Sequence, residues 1–113
     1  MEDALANIHI YRKADGTSPF YKWYWGLKDK KTQAIIDYRL NCVEAGTLGD
    51  SKLVGDGVFE LRIHHGSGIR LYYARVGERV LLLLCGSRKS DQQSEIQKAK
   101  RYLKDYQDRL KGS

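Results

Sequence analysis

The sequence predicts one α+β domain over residues 1–113: a small antiparallel sheet, built from a β-meander and an N-terminal strand, packed against two N-terminal helices and followed by a C-terminal helix. Three observations predict it. Between Gly49 and Lys89, apolar residues recur at a period of two between glycine-bearing turns. Before this stretch, two helix-start signals each precede apolar residues at helical spacing. After it, from Ser90, helical spacing returns. A chain of 113 residues can bury a modest core without staples, and it contains no internal repeat, low-complexity run or linker.

The elements follow in order. Asn7–Lys13 alternates Ile8 and Ile10 with His9 and Tyr11, the pattern of a first strand, and Asp15-Gly16 marks a turn. Ser18-Pro19 starts a helix, a capping hydroxyl followed by a proline whose missing N–H does no harm there. Phe20, Trp23 and Leu27 mark its apolar face. Asp29 opens a second helix in which Ile35, Tyr38, Cys42 and Ala45 recur at helical spacing, with Gly46 as its stop. In the last helix Ser90 and Gln93 have capping-box spacing, and Ile96, Ala99, Leu103, Tyr106 and Leu110 form a stripe.

The meander carries the chemistry. In Val58–His65, Phe59, Leu61 and Ile63 alternate with Glu60, Arg62 and His64; in Ile69–Ala74, Ile69, Leu71 and Tyr73 alternate with Arg70 and Tyr72. A three-residue loop, Gly66-Ser67-Gly68, sets Ile63 opposite Leu71, and so places His64 opposite Arg70 and Arg62 opposite Tyr72, with Glu60 next along. A second turn at Val76–Arg79 returns through Val80–Cys85, apolar without alternation as in a strand covered on both faces. That turn places Cys85 beside Arg70, with Ser87, Arg88 and Lys89 emerging at the same end of the sheet.

Twenty Lys+Arg against fourteen Asp+Glu give a net charge of +6, which favours anionic partners through long-range attraction. No apolar run approaches the roughly eighteen residues of a membrane span, and no secretory leader is evident, so a soluble cytoplasmic protein is expected. Cys42 and Cys85 have no metal-ligand spacing and read as core thiols. His64 and His65 are neighbours on a strand and so point to opposite faces, which argues against a shared metal; no metal or cofactor is expected.

Gly49-Asp50-Ser51-Lys52 (G-D-x-K), Gly55 to Arg62 (G-x-G-V-x-E-L-R), Gly66 to Tyr73 (G-x-G-x-R-x-Y-Y) and Leu82 to Gly86 (L-L-L-C-G), ahead of a lysine and a glutamine, occur in this order. Together they resemble the HigB-like addiction-module killer proteins of the RelE/ParE toxin superfamily, over roughly Phe20 to Tyr102. The resemblance implies a small curved sheet on two N-terminal helices with a C-terminal helical segment. It also implies a type II toxin–antitoxin toxin that cleaves messenger RNA, often on the ribosome, neutralised by a cognate antitoxin that is commonly a helix-turn-helix DNA-binding protein. The chain departs from the family at the end of the last strand, where Gly86-Ser87-Arg88-Lys89 replaces the usual G-G-D-K. A catalytic tyrosine near the RelE C-terminus has no counterpart here, since no tyrosine follows Lys89 until Tyr102.

RNA cleavage by 2′-hydroxyl attack on the adjacent phosphate needs a base, cations for the charge on phosphorus, and an acid for the leaving 5′-oxygen. Arg70, at the family's G-x-R position, is the first candidate for the phosphate because a guanidinium holds two oxygens at once. Arg62 is the second cation. Lys89 matches the family's lysine and can neutralise phosphate or protonate the leaving oxygen. His64 and Glu60 are alternative bases, and Glu60 reads equally as an ion-pair partner for Arg62. Tyr72, Lys52 and Arg88 are candidates for substrate binding, Tyr72 by stacking or hydrogen bonding and Lys52 through backbone phosphate.

Two rivals stand beside this reading: a ParE-like toxin that binds gyrase, and a non-catalytic module that binds nucleic acid or antitoxin. Arg75, Arg79 and Arg88 also read as solvated surface charges. Phe20 to Trp25 reads as core aromatics at helical spacing, and Lys98, Lys100, Arg101 and Lys104 as a solvated helix face.

Overall fold

A computed structural model describes residues 6–112. In chain order the elements are β1 (Asn7–Ile10), α1 (Pro19–Trp25), α2 (Lys30–Glu44), β2 (Ser51–Gly55), β3 (Val58–Ile63), β4 (Ile69–Gly77), β5 (Val80–Arg88), a 3₁₀ turn (Lys89–Asp91) and α3 (Gln92–Lys111). The fold is α+β. Its curved five-stranded sheet has the order β1-β5-β4-β3-β2. Helices α1 and α2 cover one face, over a core of Phe20, Tyr24, Ile36, Val43, Leu61, Ile63, Leu71 and Leu83. On the other face α3 seals a second core of Tyr11, Val58, Tyr72, Ala74, Leu82, Leu84, Cys85, Ile96, Ala99 and Leu103. Because β5 lies between both layers, its apolar run needs no alternation.

Local chemistry sets the helix ends. Ser18 Oγ accepts from Tyr21 N at 3.1 Å, and Asp29 accepts from Lys31 N at 2.9 Å and from the Thr32 hydroxyl at 2.7 Å. After α2, Gly46 takes φ +101°, and the amides of Gly46 and Thr47 donate to the carbonyls of Val43 and Cys42, a Schellman stop. The start of α3 differs from expectation: Ser90 lies in the 3₁₀ turn, Asp91 is the cap residue, and no side-chain capping bond forms there.

The buried face of α2 is also not the expected one. Thr32, Ile36 and Val43 are buried, whereas Tyr38 is 68% exposed. Ile35/Ile36 and Cys42/Val43 are adjacent pairs, so two apolar stripes about 100° apart have the same spacing. Packing against the sheet selects the branched Ile36 and Val43. In α3 the expected stripe is buried at Ile96, Ala99 and Leu103, but Leu110 is exposed because the helix runs past the sheet.

Four differences concern the sheet. First, β1 ends at Ile10 and is parallel to β5, pairing only with Val80–Leu83. Second, β2 was not singled out in the sequence; it joins β3 through Asp56-Gly57, with φ +51° and +83°, the two left-handed positions of a type I′ hairpin turn. Third, the β3–β4 register lies two residues from the expected one: Ile63 pairs with Ile69, Arg62 with Arg70 and Glu60 with Tyr72. His64 and His65 leave the strand for a longer loop, closed by bonds from His65 N to Ile63 O and from Gly68 N to His65 O. An even slip keeps every side chain on its expected face, so the two cores are unaffected. Fourth, the β4–β5 turn closes one residue later, with Gly77 pairing with Val80, and two register shifts, at Arg75/Gly77 and at Tyr72/Tyr73, then leave Cys85 opposite Tyr72 and Ser87 opposite Arg70.

Candidate functional site

Two rungs of the sheet, on the face that carries α3, assemble the candidate residues. One rung runs Lys52–Glu60–Tyr72–Cys85 and the next Arg62–Arg70–Ser87. A β-bulge brings in the β5 members. Tyr72 pairs with Cys85 but Tyr73 with Leu83, so Leu84 is an extra residue and the alternation of β5 reverses beyond it. Cys85 therefore joins Leu84 in the α3-side core, and Ser87 joins the face of Arg70. Gly86 turns to the other side, where a Cβ would stand 2.5 Å from Trp23 Cζ3.

Glu60 is the centre of the cluster, with none of its surface exposed. Its Oε1 accepts from Arg62 Nε at 3.1 Å and lies 3.7 Å from Arg70 Nε; its Oε2 accepts from Gln92 Nε2 at 2.6 Å. Two guanidinium groups directly across a ladder repel one another, and a carboxylate between them is what makes that pair tolerable. Arg70 is 6% exposed; its Nη1 donates to Ile69 O, and its Nε has no hydrogen-bond partner. With Lys89 nearby, the cluster sets three cations against the buried Glu60 and the Asp50 carboxylate at the loop.

Gly68 holds Lys89 and Arg70 together. It sits at φ +102°, and a Cβ there would lie 3.2 Å from Lys89 Cβ and 3.6 Å from Arg70 Nη1. Its carbonyl accepts from Lys89 N at 3.0 Å. Lys89 is exposed and Arg62 partly so, giving an outer pair of cations above a buried Arg70. At the loop, His64 Nε2 lies 2.8 Å from Asp50 Oδ2. This bond, with lesser help from Arg62, holds the Asp50 carboxyl below its ordinary value.

The expected opposition of His64 with Arg70 and of Arg62 with Tyr72 is therefore replaced: His64 faces Asp50, and Arg62 faces Arg70. Tyr72 is wholly buried, so its ring cannot stack on a base; only its hydroxyl, 3.2 Å from Ser87 Oγ, borders the site. Burial pushes its phenol up to about 12. Arg88 is exposed and pairs with Ile69, one step out of phase with Ser87 and Arg70, which puts it on the opposite side of the strand from the cluster. Lys52 is exposed on the edge strand, opposite Glu60.

Asp50, Ser87 and Gln92 are the members that pattern reading did not assign. Asp50 lies within the G-D-x-K stretch, and Gln92 follows the lysine beyond the last strand, so both had a signal. Ser87 was expected at that end of the sheet, but the side it faces had no signal, because the bulge decides it. Three lysines of α3 are partnered on the surface, with Lys98 Nζ 3.0 Å from Glu95, Lys100 Nζ 3.6 Å from Asp56 and Lys104 Nζ 3.3 Å from Asp108.

No protein-family model matches the chain. An uncharacterized protein of Haemophilus influenzae is 40% identical over 84 residues, which cover 74% of this chain and 85% of the relative. The chain belongs to the family of that Haemophilus protein. The match spans most of both sequences, so kinship with this family concerns the domain rather than one motif. Among the described residues, no helix is long and apolar enough to cross a membrane.

Proposed function

We propose that the protein is the toxin of a type II toxin–antitoxin pair, an endoribonuclease that cleaves messenger RNA at the ribosome and is neutralised by a cognate antitoxin, a helix-turn-helix DNA-binding protein. One observation carries the reading: a fully buried Glu60 holds Arg62 and Arg70 side by side beneath Lys89, a preorganised cationic seat for a phosphate. The resemblance to HigB-like toxins, over roughly Phe20 to Tyr102, supplies the substrate.

Side chains alone suffice for the scheme. With both Glu60 oxygens engaged by Arg62 and Gln92, Glu60 acts as the organiser of the guanidinium groups, and the base role passes to His64. Asp50 orients the imidazole through Nε2, leaving Nδ1 to take the 2′-hydroxyl proton. The 2′-oxygen bonds to phosphorus, the P–O5′ bond breaks, and Lys89 protonates the departing 5′-oxygen. The products are a 2′,3′-cyclic phosphate and a 5′-hydroxyl. Arg62 and Arg70 neutralise the extra charge on phosphorus in between. Lys52 grips the RNA backbone beside the site.

Induced expression tests this. Wild type should arrest growth and leave primer-extension stops in messenger, and Arg70→Ala should do neither. Equal arrest by both proteins rules out cleavage at this face. Arrest with DNA damage and intact messenger would replace it by a gyrase-binding mode of action.

A further inference from the structure

The sheet edge beyond β1 opens into a second recess. Because β1 pairs only as far as Leu83, the outer half of β5 is flanked by α1 on one side and α3 on the other. A groove of about 350 Å³ lies between them, floored by Cys85, Gly86 and Ser87. This volume is within the range of small-ligand sites, roughly 300–1,000 Å³. One wall carries Lys13, Lys22 and Trp23, and the α3 wall carries Asp91, Glu95, Lys98 and Tyr102. The charge is divided between the walls. Lys13 and Lys22 are exposed, and Lys13 Nζ sits 5.9 Å over the Tyr102 ring. Lys98 is already bound to Glu95 at 3.0 Å.

Such a groove suits a ligand that is anionic at one end and hydrogen-bond-donating at the other, with a flat apolar body between. A ribonucleotide has that form: phosphate for Lys13 and Lys22, a base against the half-buried Trp23 indole, and ribose hydroxyls or base N–H groups for Asp91 and Glu95. The groove is distinct from the arginine cluster, because the first turn of α3 comes between them: Gln92 reaches Glu60, while Asp91 and Glu95 line the groove. The two are nevertheless adjacent. Ser87 lines the groove and is the ladder partner of Arg70, one strand spacing away, about 4.8 Å.

We propose that this groove is a second nucleotide subsite, holding the nucleotide next to the one whose phosphate sits on Arg62 and Arg70. As a strand subsite it rests on the ribonuclease reading; as a nucleotide site it stands on the groove alone. Single-stranded RNA then crosses the end of β5 at Ser87, its backbone following Lys52, Arg62/Arg70 and Lys13/Lys22.

Two probes test it. Adenosine 5′-monophosphate is titrated against the indole N–H resonance of Trp23, assigned with Trp23→Phe. A short RNA with a 2′-deoxy sugar at the cleaved position is titrated by fluorescence anisotropy at increasing length. Wild type should show a shift at Trp23 and a step in affinity when one nucleotide is added beside the cleaved phosphate. In Lys13→Glu/Lys22→Glu, which alters only exposed side chains, the Trp23 shift should vanish and RNA affinity should fall at least tenfold, with a shallower salt dependence. Arg70→Gln should keep the Trp23 shift. No Trp23 shift in wild type, or an unchanged shift and step in the double variant, overturns the subsite. If wild type binds the monophosphate at Trp23 yet cuts no messenger, the ribonuclease reading fails and the groove remains a nucleotide site.

Discussion

Glu60 shows how one residue organises a site. Period-two alternation places it on the face of Arg62, Arg70 and Tyr72, but not under them; that follows from the register and from Gln92 arriving from α3. Removing its charge leaves Arg62 and Arg70 opposed across the ladder. Glu60→Gln should therefore lower stability by about 3 kcal/mol, read by chemical denaturation, because breaking a buried pair strands the remaining charge. His64 makes the opposite kind of contact, exposed and held only by Asp50. Asp50→Asn should reduce kcat more than tenfold with little change in KM if Asp50 orients the base, measured on a minimal RNA substrate. The same variant should remove a stabilisation of defined sign. The depressed Asp50 carboxyl favours the fold above its unfolded value, about 3.9, and that favour is lost as pH falls through the lower folded value.

At the scale of elements, β5 and α1 depend on one glycine. The Leu84 bulge turns Gly86 toward α1, and Trp23 lies so close that a methyl group would stand 2.5 Å from Cζ3 and 2.6 Å from Cε3. Gly86→Ala should destabilise by roughly 1–3 kcal/mol through overpacking. Trp23→Leu in the same chain should recover part of the loss, a coupling that a double-mutant cycle in thermal unfolding would read. The helix starts at Ser18 and Asp29 were legible because capping is local chemistry. The buried face of α2 was not, since Ile35 and Ile36 fit the helical period equally well. The β2 hairpin was legible in principle from Asp56-Gly57.

For the whole molecule, three buried phenols tie separate elements together. Tyr24 joins α1 to Asp37 of α2, Tyr72 lies under α3, and Tyr11 joins the strand β1 to Asp105 of α3 at 2.6 Å. Burial is the largest cause in each case, and all three phenols are pushed up to about 12. A raised folded value gives stability that is complete below the unfolded value near 10 and lost as pH rises toward 12. Unfolding midpoints should accordingly fall across that window while phenolate absorbance rises, and Tyr72→Phe should flatten its share of the loss. By itself the sequence determined the α+β class, the helix starts, the two-sided burial of β5 and the face shared by Glu60, Arg62 and Arg70, because capping and alternation act within a few residues. Only the tertiary structure decided the rung on which those residues meet, the parallel seat of β1, the turn of Ser87 toward Arg70 and the groove beside α1. Each of these depends on loop closure, a bulge or the docking of a distant helix, and none of those terms is local to the residues it places.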